Sequence, residues 1–261
     1  EAAAMSRRIR LIVSYDGTNY VGWQLQENGV SVQQRLNEAL AYLTGESIQV
    51  HGSGRTDSGV HARAQVAHFD TSARMPADKF AIAMNTRLPR DIRVLYSEET
   101  TEDFHARFSA KNKTYRYTVQ TGPHADVFTR DTALHVHTPL DLERMQHAAK
   151  NVLGEHDFAA FMSAGSTLER TVRTVFRSEW TRDGRYLYYD VSANGFLYNM
   201  VRILVGTMLE VGSGKLPEDA ISRAIASKRR DDAGATAPPQ GLALMRVQYE
   251  DFDTDEALNR L

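Results

Sequence analysis

The sequence predicts an α+β protein made of two ferredoxin-like β-α-β-β-α-β halves. Segments whose apolar residues alternate, as in strands, are separated by segments whose apolar residues recur at helical spacing. The same order of six elements occurs twice within the 261 residues. We therefore expect antiparallel or mixed sheets that join into one continuous central sheet, with the helices on one face and a broad open platform on the other.

The first half is predicted to span residues 5–105, after a short expression remnant at residues 1–4. Its strands are predicted where apolar side chains alternate, at residues 8–15, 48–50, 64–69 and 92–96. Its first helix follows the capping box that begins at Ser31, and Gly45 ends it. Its second helix is predicted to begin at Pro76, a residue type favoured in the first turn of a helix.

The second half, residues 106–261, repeats this order. Strands are predicted at residues 114–119, 172–180, 186–191 and 242–249, and helices at 138–152 and 197–208, with an inserted short helix at 217–227. The dipeptide Asp183-Gly184 between two strand patterns is a hairpin signal. The polar residues 100–112 are predicted to connect the halves.

Composition sets limits on the class of protein. The chain has no cysteine, which excludes disulfides, thiolate nucleophiles and zinc sites made from cysteine. No apolar run approaches the roughly 20 residues of a membrane span. We therefore expect a cytoplasmic protein with no membrane association.

The net charge is −2, so the chain as a whole is not basic. Its arginines and lysines are nevertheless clustered, for example at residues 7–10, 87–93, 107–116 and 170–177. Such clusters predict a basic face for nucleic acid on a near-neutral chain. The alternative is that each cluster is ordinary solvated surface.

The stretch from His51 to His68 is the strongest candidate for chemistry. It reads HGSGRTDSGVHARAQVAH and holds one carboxylate, Asp57, two residues after Arg55. Its three glycines allow tight turns that present an acid ahead of a strand. Asp57 could equally be a turn former. A phosphate-binding P-loop is disfavoured because its lysine is missing, and a triad of Asp57, Ser58 and His61 is disfavoured because triads are defined by geometry.

Two further patterns lie in the second half. The run Lys113-Thr114-Tyr115-Arg116-Tyr117 places aromatic rings among cations on one strand, which suits a flipped base beside phosphates, although tyrosine is also common in strands. Arg202 lies in an apolar helix, where its charge needs a partner or a route to water. Gly206, one turn further along, is predicted to let another backbone come close. Residues 234–241 are predicted to form a rigid surface loop, which either lines a cleft or only connects two elements. Neither the pair His135 and His137 nor the set His51, His61 and His68 has the spacing of metal ligands, so no metal is expected.

These motifs together resemble those of the TruA-type tRNA pseudouridine synthases. The long motif is GSGRTDSGVHA at residues 52–62. The shorter ones are Tyr15-Asp16-Gly17, Gly22-Trp23-Gln24, Lys113-Thr114-Tyr115, Thr171-Val172-Arg173-Thr174, Met200-Val201-Arg202 and Thr236-Ala237-Pro238. Ser58 stands where that family usually has alanine, and residues 122–134 match poorly.

The resemblance implies an isomerase that converts uridine to pseudouridine on the 3′ side of the tRNA anticodon stem-loop, at expected positions 38–40, without cofactor or metal. It implies that Asp57 is the catalytic nucleophile or base, that Arg202 pairs with it, that Tyr115 packs on the flipped base and handles the C5 proton, and that Arg55 helps to flip the nucleotide. Substrate binding is assigned to Tyr115, Arg55, Lys113, Arg116, Gly54 and His61. The implied assembly is a homodimer in which one tRNA contacts both subunits.

Two other classes of function are compatible with these residues. One is an RNA-binding platform without catalysis, and the other is a phosphate-handling hydrolase that uses the glycine loop. Release of tritium from uridine labelled at C5 separates them from the isomerase, because only isomerisation exchanges that hydrogen.

Overall fold

The computed structural model describes residues 5–165 and 170–261, so the predicted remnant at residues 1–4 lies outside it. The chain forms two compact units. Unit 1 extends to Lys111 and also takes in Leu244–Leu261, and unit 2 is Asn112–Ala243. The two halves predicted from the sequence, 5–105 and 106–261, have boundaries that differ from those of these units. The division into halves stays a prediction.

Unit 1 contains an antiparallel sheet with the strand order of a ferredoxin-like half. Its strands are β1 (Arg7–Tyr15), β2 (His51–Gly52), β3 (His61–Thr71) and β4 (Ile92–Thr100). β1 lies between β3 and β4, and β2 pairs with β3, so the order is β4-β1-β3-β2. The predicted strand at 48–50 was placed too early, because the only paired residues of that segment are His51 and Gly52.

Two helices cover one face of this sheet. α1 (Val32–Thr44) begins at Ser31, whose side chain accepts a hydrogen bond from the Gln34 N–H, and it ends at Gly45 in the left-handed conformation, as predicted. The predicted second helix is α-helical only over α2 (Phe80–Asn85), because Ala77–Lys79 form a 3-10 turn after Pro76. Phe80 packs edge-on against Phe69 of β3 at 5.3 Å between ring centroids, which fixes α2 on the sheet.

Unit 2 also contains a mostly antiparallel sheet. Its strands are β5 (Asn112–Gln120), β6 (Leu134–His135), β7 (Gly154–Asp157), β8 (Val172–Asp183) and β9 (Tyr186–Ala193). The order is β5-β9-β8-β7, all antiparallel, and β6 pairs with β5 in parallel. The hairpin predicted at Asp183-Gly184 is confirmed, with Gly184 at a φ of 60°.

The helices of unit 2 are α3 (Leu142–Lys150), α4 (Met200–Gly212) and α5 (Ala220–Ser227). Each begins about three residues later than its pattern predicted. α3 begins after Asp141, whose side chain accepts a hydrogen bond from the Arg144 N–H. α4 begins after Asn199, which has a left-handed backbone with a φ of 60°. The mixed α+β class and the antiparallel sheets are confirmed, whereas continuity between the two sheets stays a prediction.

After unit 2 the chain forms β10 (Leu242–Gln248), whose later residues lie beside β3 of unit 1, and the short helix α6 (Thr254–Leu258). This C-terminal segment covers the second face of the unit 1 sheet together with residues 102–110. The guanidinium of Arg10 lies over the rings of Phe252 and Phe104, at 4.0 and 5.0 Å. The prediction of an open platform was therefore wrong for this part of unit 1, because aromatic residues bury its central strand.

Candidate active site

The loop that carries Asp57 lies in unit 1 between β2 and β3, and hydrogen bonds fix it on several sides. The carbonyl oxygen of Thr56 accepts a hydrogen bond from the Trp23 N–H at 3.1 Å. The Thr56 hydroxyl is 2.6 Å from the hydroxyl of Tyr15, which is buried beneath the loop. Burial raises the pKa of Tyr15 to about 12, so this hydroxyl stays protonated and neutral at physiological pH.

Gln65 of β3 fixes the beginning of the same loop. Its side chain is fully buried, and its Oε1 accepts hydrogen bonds from the N–H and the hydroxyl of Ser53 at 3.2 and 2.5 Å. Its Nε2 donates to the carbonyl oxygen of Gly54 at 3.0 Å. Because the buried amide of Gln65 is hydrogen-bonded through both its oxygen and its nitrogen, it stabilises one conformation of the loop. A different loop conformation would leave these buried polar groups unpaired.

A tight turn presents Asp57 itself. The Val60 N–H donates to the Asp57 carbonyl at 3.0 Å, and Gly59 adopts the φ of 81° that this turn requires. Behind the turn, a Cβ on Gly22 would lie 2.5 Å from the Thr56 carbonyl oxygen, so only glycine allows this approach. The side chain of Asp57 is half-buried, which leaves a carboxylate that is positioned by the loop and still accessible.

The other predicted residues of this loop have different environments. Arg55 is exposed, as a residue that reaches into RNA needs to be. His61 is buried, and its Nδ1 accepts a hydrogen bond from the Gly17 N–H at 2.9 Å and lies 3.2 Å from Asp16. The ring of His61 therefore has a structural task, which is to hold the turn at residues 16–18 against the loop.

Tyr115, Lys113 and Arg116 lie on β5 of unit 2. Tyr115 and Lys113 are two residues apart and so share one face of the sheet. The ring of Tyr115 is almost fully buried, and Phe196 packs against it edge-on with 5.0 Å between centroids and an interplanar angle of 89°. This contact restricts the ring of Tyr115 to one orientation.

Arg116 points to the other face and makes a structural ion pair. Its Nε and Nη2 donate to the two carboxylate oxygens of Asp190 at 2.9 and 3.1 Å, and its guanidinium lies 4.5 Å from the ring centroid of Tyr188. The hydrogen bond to Asp190 raises the pKa of Arg116 further. Because Asp190 is buried, this pair accounts for the charge of Arg116, whose predicted phosphate contact stays a prediction.

The guanidinium of Arg202 in α4 makes two hydrogen bonds to uncharged groups of unit 2. Its Nε donates to the Ala237 carbonyl at 2.7 Å, and its Nη1 donates to the side-chain oxygen of Asn199 at 3.2 Å. These two hydrogen bonds orient a half-buried guanidinium at the first turn of the helix. The segment 234–241, predicted either to line a cleft or only to connect, therefore positions a candidate catalytic residue.

Sequence reasoning missed the residues that support these candidates. Tyr15 and Ala237 fall within the family motifs but were given no role, and Gln65 and Asn199 carry no pattern of their own. For Ala237 a further signal was Gly206, which was predicted to let another backbone come close. A Cβ at Gly206 would lie 1.6 Å from the Ala235 carbonyl oxygen, so the expected close approach is confirmed.

Asp57, Arg55, Gly54 and His61 lie in unit 1, and Tyr115, Lys113, Arg116 and Arg202 lie in unit 2. Among the residues that the structure describes, no group of three or more His, Cys, Asp or Glu side chains is arranged to hold a metal ion. In the same described ranges, no helix is long and apolar enough to cross a membrane. The catalytic roles stay predictions at this stage.

Comparison with known proteins identifies the family. The sequence model described as tRNA pseudouridine synthase matches residues 11–109 and 148–250. Among its relatives, the tRNA pseudouridine synthase A of Ruminiclostridium cellulolyticum is 49% identical over 244 residues, covering 93% of this chain and 100% of the relative. That of Halalkalibacterium halodurans is 49% identical over 237 residues, covering 90% of each chain. That of Acetivibrio thermocellus is 46% identical over 243 residues, covering 93% of this chain and 100% of the relative. The chain belongs to the tRNA pseudouridine synthase family.

Proposed function

We propose that this protein isomerises uridine to pseudouridine in tRNA, with Asp57 as the catalytic carboxylate. The observation that carries the proposal is the loop at residues 53–60. Hydrogen bonds from the buried side chains of Tyr15 and Gln65 hold this loop in place, and it presents one half-buried carboxylate, that of Asp57. A pre-positioned carboxylate can attack the sugar or remove a proton without further rearrangement. The family membership of the chain supplies the reaction.

The reaction needs no redox partner because the detached base is also the acceptor. The bond between N1 of uracil and C1′ of the ribose breaks, and the base rotates. C5 then bonds to C1′, loses its proton to a base, and N1 ends with a hydrogen. Asp57 acts at the sugar, while Tyr115 packs on the base. The hydroxyl of Tyr115 accepts the C5 proton as it passes its own proton to solvent, from which N1 takes up a proton.

The two arginines have separate tasks in this proposal. Arg202 stabilises the ionised form of Asp57, because a neighbouring cation offsets the cost of desolvating a carboxylate. Arg55, which is exposed, enters the space that the flipped nucleotide leaves. Extruding a base costs a few kcal/mol, and stacking and phosphate contacts must offset that cost.

The substrate we propose is the 3′ side of the anticodon stem-loop, and the assembly is a cytoplasmic homodimer. Lys113, Gly54 and His61 are proposed to contribute to substrate binding, His61 by holding the loop in place. Action on several adjacent uridines requires recognition of RNA shape rather than of base edges.

The decisive experiment is tritium release from tRNA labelled at uridine C5, with Asp57→Asn as the test variant. The amide keeps the shape of the side chain but is neither a useful nucleophile nor a base at neutral pH. We expect turnover to be abolished while tRNA binding, which depends mainly on phosphate contacts, changes little.

Ser58→Ala is the matched control for this experiment. It removes the neighbouring hydroxyl, whose hydrogen bond to the Tyr20 carbonyl is 3.2 Å long, and retains Asp57. We expect its turnover to stay within a few-fold of the parent. Residual turnover of Asp57→Asn within tenfold of the parent would remove Asp57 from the mechanism. Binding of tRNA without any tritium release by the parent protein would favour a non-catalytic RNA-binding platform.

A further inference from the structure

An aromatic cluster that none of the proposed catalytic steps uses lies beside the Asp57 loop in unit 1. The ring of His68 stacks on that of His51 at 5.1 Å and meets the ring of His105 edge-on at 4.6 Å. The ring of His105 in turn stacks on Phe108 at 4.3 Å, with 30° between the planes. The cluster runs from buried His68 to Phe108, which is 77% exposed.

The turn that carries Phe108 is rigidly attached to the protein. The Ala106 N–H donates to Nδ1 of His68 at 3.0 Å, and its carbonyl accepts a hydrogen bond from the hydroxyl of Tyr249. The N–H groups of Arg107 and Phe108 both donate to Nδ1 of His105, at 3.1 and 3.2 Å. These bonds fix the main chain at Phe108, and its ring lies at the surface, stacked on His105.

The charge around this ring suits a polyanion. Residues 105–111 contain the exposed cations Arg107 and Lys111 and no carboxylate. The guanidinium of Arg107 lies 5.7 Å from the centroid of the Phe108 ring. An aromatic face beside a cation is the arrangement on which unpaired nucleobases stack, with the cation placed near the phosphate.

The position of the cluster also fits the substrate. His51 begins β2, which leads directly into the loop of Gly54, Arg55 and Asp57. A nucleotide held at Phe108 would therefore belong to the same RNA that reaches Asp57. Two other phenylalanines are exposed, Phe128 at 90% and Phe176 at 55%. Phe128 lies outside the residues that the family model matches, whereas Phe108 and Phe176 lie within them. Phe108 is the one whose ring stacks on His105.

We propose that His51, His105, Arg107 and Phe108, here called the Phe108 patch, form a second RNA-binding site on which an unpaired nucleobase of the tRNA stacks. This inference rests on the proposed function because it takes tRNA as the substrate. The patch increases the affinity for tRNA and helps to fix the position of the tRNA on the protein, and it takes part in no chemical step.

The test is a filter-binding titration of unmodified tRNA with Phe108→Leu, which keeps an apolar side chain and removes the aromatic face. We expect the Kd to rise about tenfold, since stacking on one aromatic ring contributes that order of affinity. Phe108→Trp should restore the parent affinity to within about threefold, because a larger ring still stacks. Phe128→Leu is the matched control, and we expect it to bind tRNA as the parent does.

Two further measurements make the outcome unambiguous. Arg107→Gln should lower the slope of log affinity against log salt concentration by about one, as the loss of one phosphate contact requires. Tritium release by the parent protein is measured on the same preparation, so that failure of the proposed isomerase activity is seen separately from failure of the Phe108 patch.

The inference is overturned if Phe108→Leu binds tRNA within twofold of the parent. It is also overturned if sedimentation shows that Phe108→Leu changes the oligomeric state, because the patch would then be a contact between copies of the chain. Ultraviolet crosslinking of tRNA that contains 5-iodouridine should place the adduct in the peptide that includes Phe108. An adduct in the peptide of Phe128 instead would contradict the assignment.

Discussion

Arg202 and Ala237 exchange two hydrogen bonds. Nε of Arg202 donates to the Ala237 carbonyl at 2.7 Å, and the Ala237 N–H donates to the Arg202 carbonyl at 2.9 Å. The second bond joins the main chain of α4 to the segment at 234–241, and the first one orients the guanidinium. The position of this candidate catalytic cation therefore depends on how closely that segment approaches the helix.

Gly206→Ala tests this dependence. Its new Cβ would lie 1.6 Å from the Ala235 carbonyl oxygen, so the segment must move away from α4 and the bonds between Ala237 and Arg202 are lost. We expect a fall of about 1–3 kcal/mol or more in the free energy of unfolding, as for other overpacked sites. We also expect loss of most turnover, measured by urea titration and tritium release.

The control for that variant is Gly195→Ala. A Cβ at Gly195 would meet only the flexible side chain of Arg173, at 3.3 Å, so the neighbouring group can yield. We expect a change of less than about 1 kcal/mol in the free energy of unfolding for this substitution at a half-buried position. Equal stability losses in the two variants would show that the close approach at Gly206 has no special importance.

Arg202→Met tests the proposed partnership with Asp57. Methionine keeps much of the apolar stem of arginine, so α4 should remain folded. Without the cation, the ionised carboxylate is less stable, and a higher pH is needed to form it. We expect low turnover at neutral pH that partly returns as the pH rises. A pH–rate profile with the same shape as that of the parent would contradict the pair.

The helices and most strands were predictable because each has one buried face, which imposes a period on the sequence. Ser31 and Gly45 bounded α1 correctly for this reason. β6 and β7 were missed because they have two and four residues, too few to show alternation.

The candidate site was only partly predictable. Local motifs pointed to Asp57 and Tyr115, but no sequence pattern joins Gln65 to Gly54 or Arg202 to Ala237, since those bonds form between segments that the fold brings together. Arg116 shows the opposite case. Its motif suggested a contact with phosphate. In the structure, however, its Nε and Nη2 donate to Asp190, which is 74 residues away in sequence, on the paired strand β9.

His68 should make the stability of the protein depend on pH. Its ring is 2% exposed, and burial, helped by the neighbouring charges of Arg8, His105 and His51, lowers its pKa from 6.5 to about 3, although Asp70 opposes the shift. Between these two pH values the unfolded chain binds a proton at His68 that the folded chain does not. The free energy of unfolding should therefore fall as the pH drops below about 6.5, by up to about 1.4 kcal/mol per pH unit.

The measurement is a series of urea titrations between pH 7.5 and pH 5.5, above the range in which most carboxylates titrate. His68→Asn removes the titrating ring and keeps an acceptor for the Ala106 N–H, so we expect a lower stability at pH 7 and a flatter dependence on pH. His124→Asn, at an exposed site, is the control and should behave as the parent does. A parent stability that does not change over this range would show that His68 is not held neutral by burial.

Tyr115→Phe separates the stacking role of Tyr115 from its hydroxyl. The ring should remain against Phe196, whose edge-on contact at 5.0 Å does not involve the hydroxyl, so tRNA binding should be retained. Turnover should be lost if the hydroxyl moves the C5 proton. Tyr189→Phe is the matched control on the neighbouring strand β9, because its buried hydroxyl is hydrogen-bonded to the Ser178 hydroxyl at 2.6 Å and does not contact the segment at 234–241. That variant should lose about 1–3 kcal/mol of stability and keep turnover within a few-fold. Single-turnover kinetics with saturating enzyme decide the question, and a parental rate in Tyr115→Phe would limit Tyr115 to packing on the base.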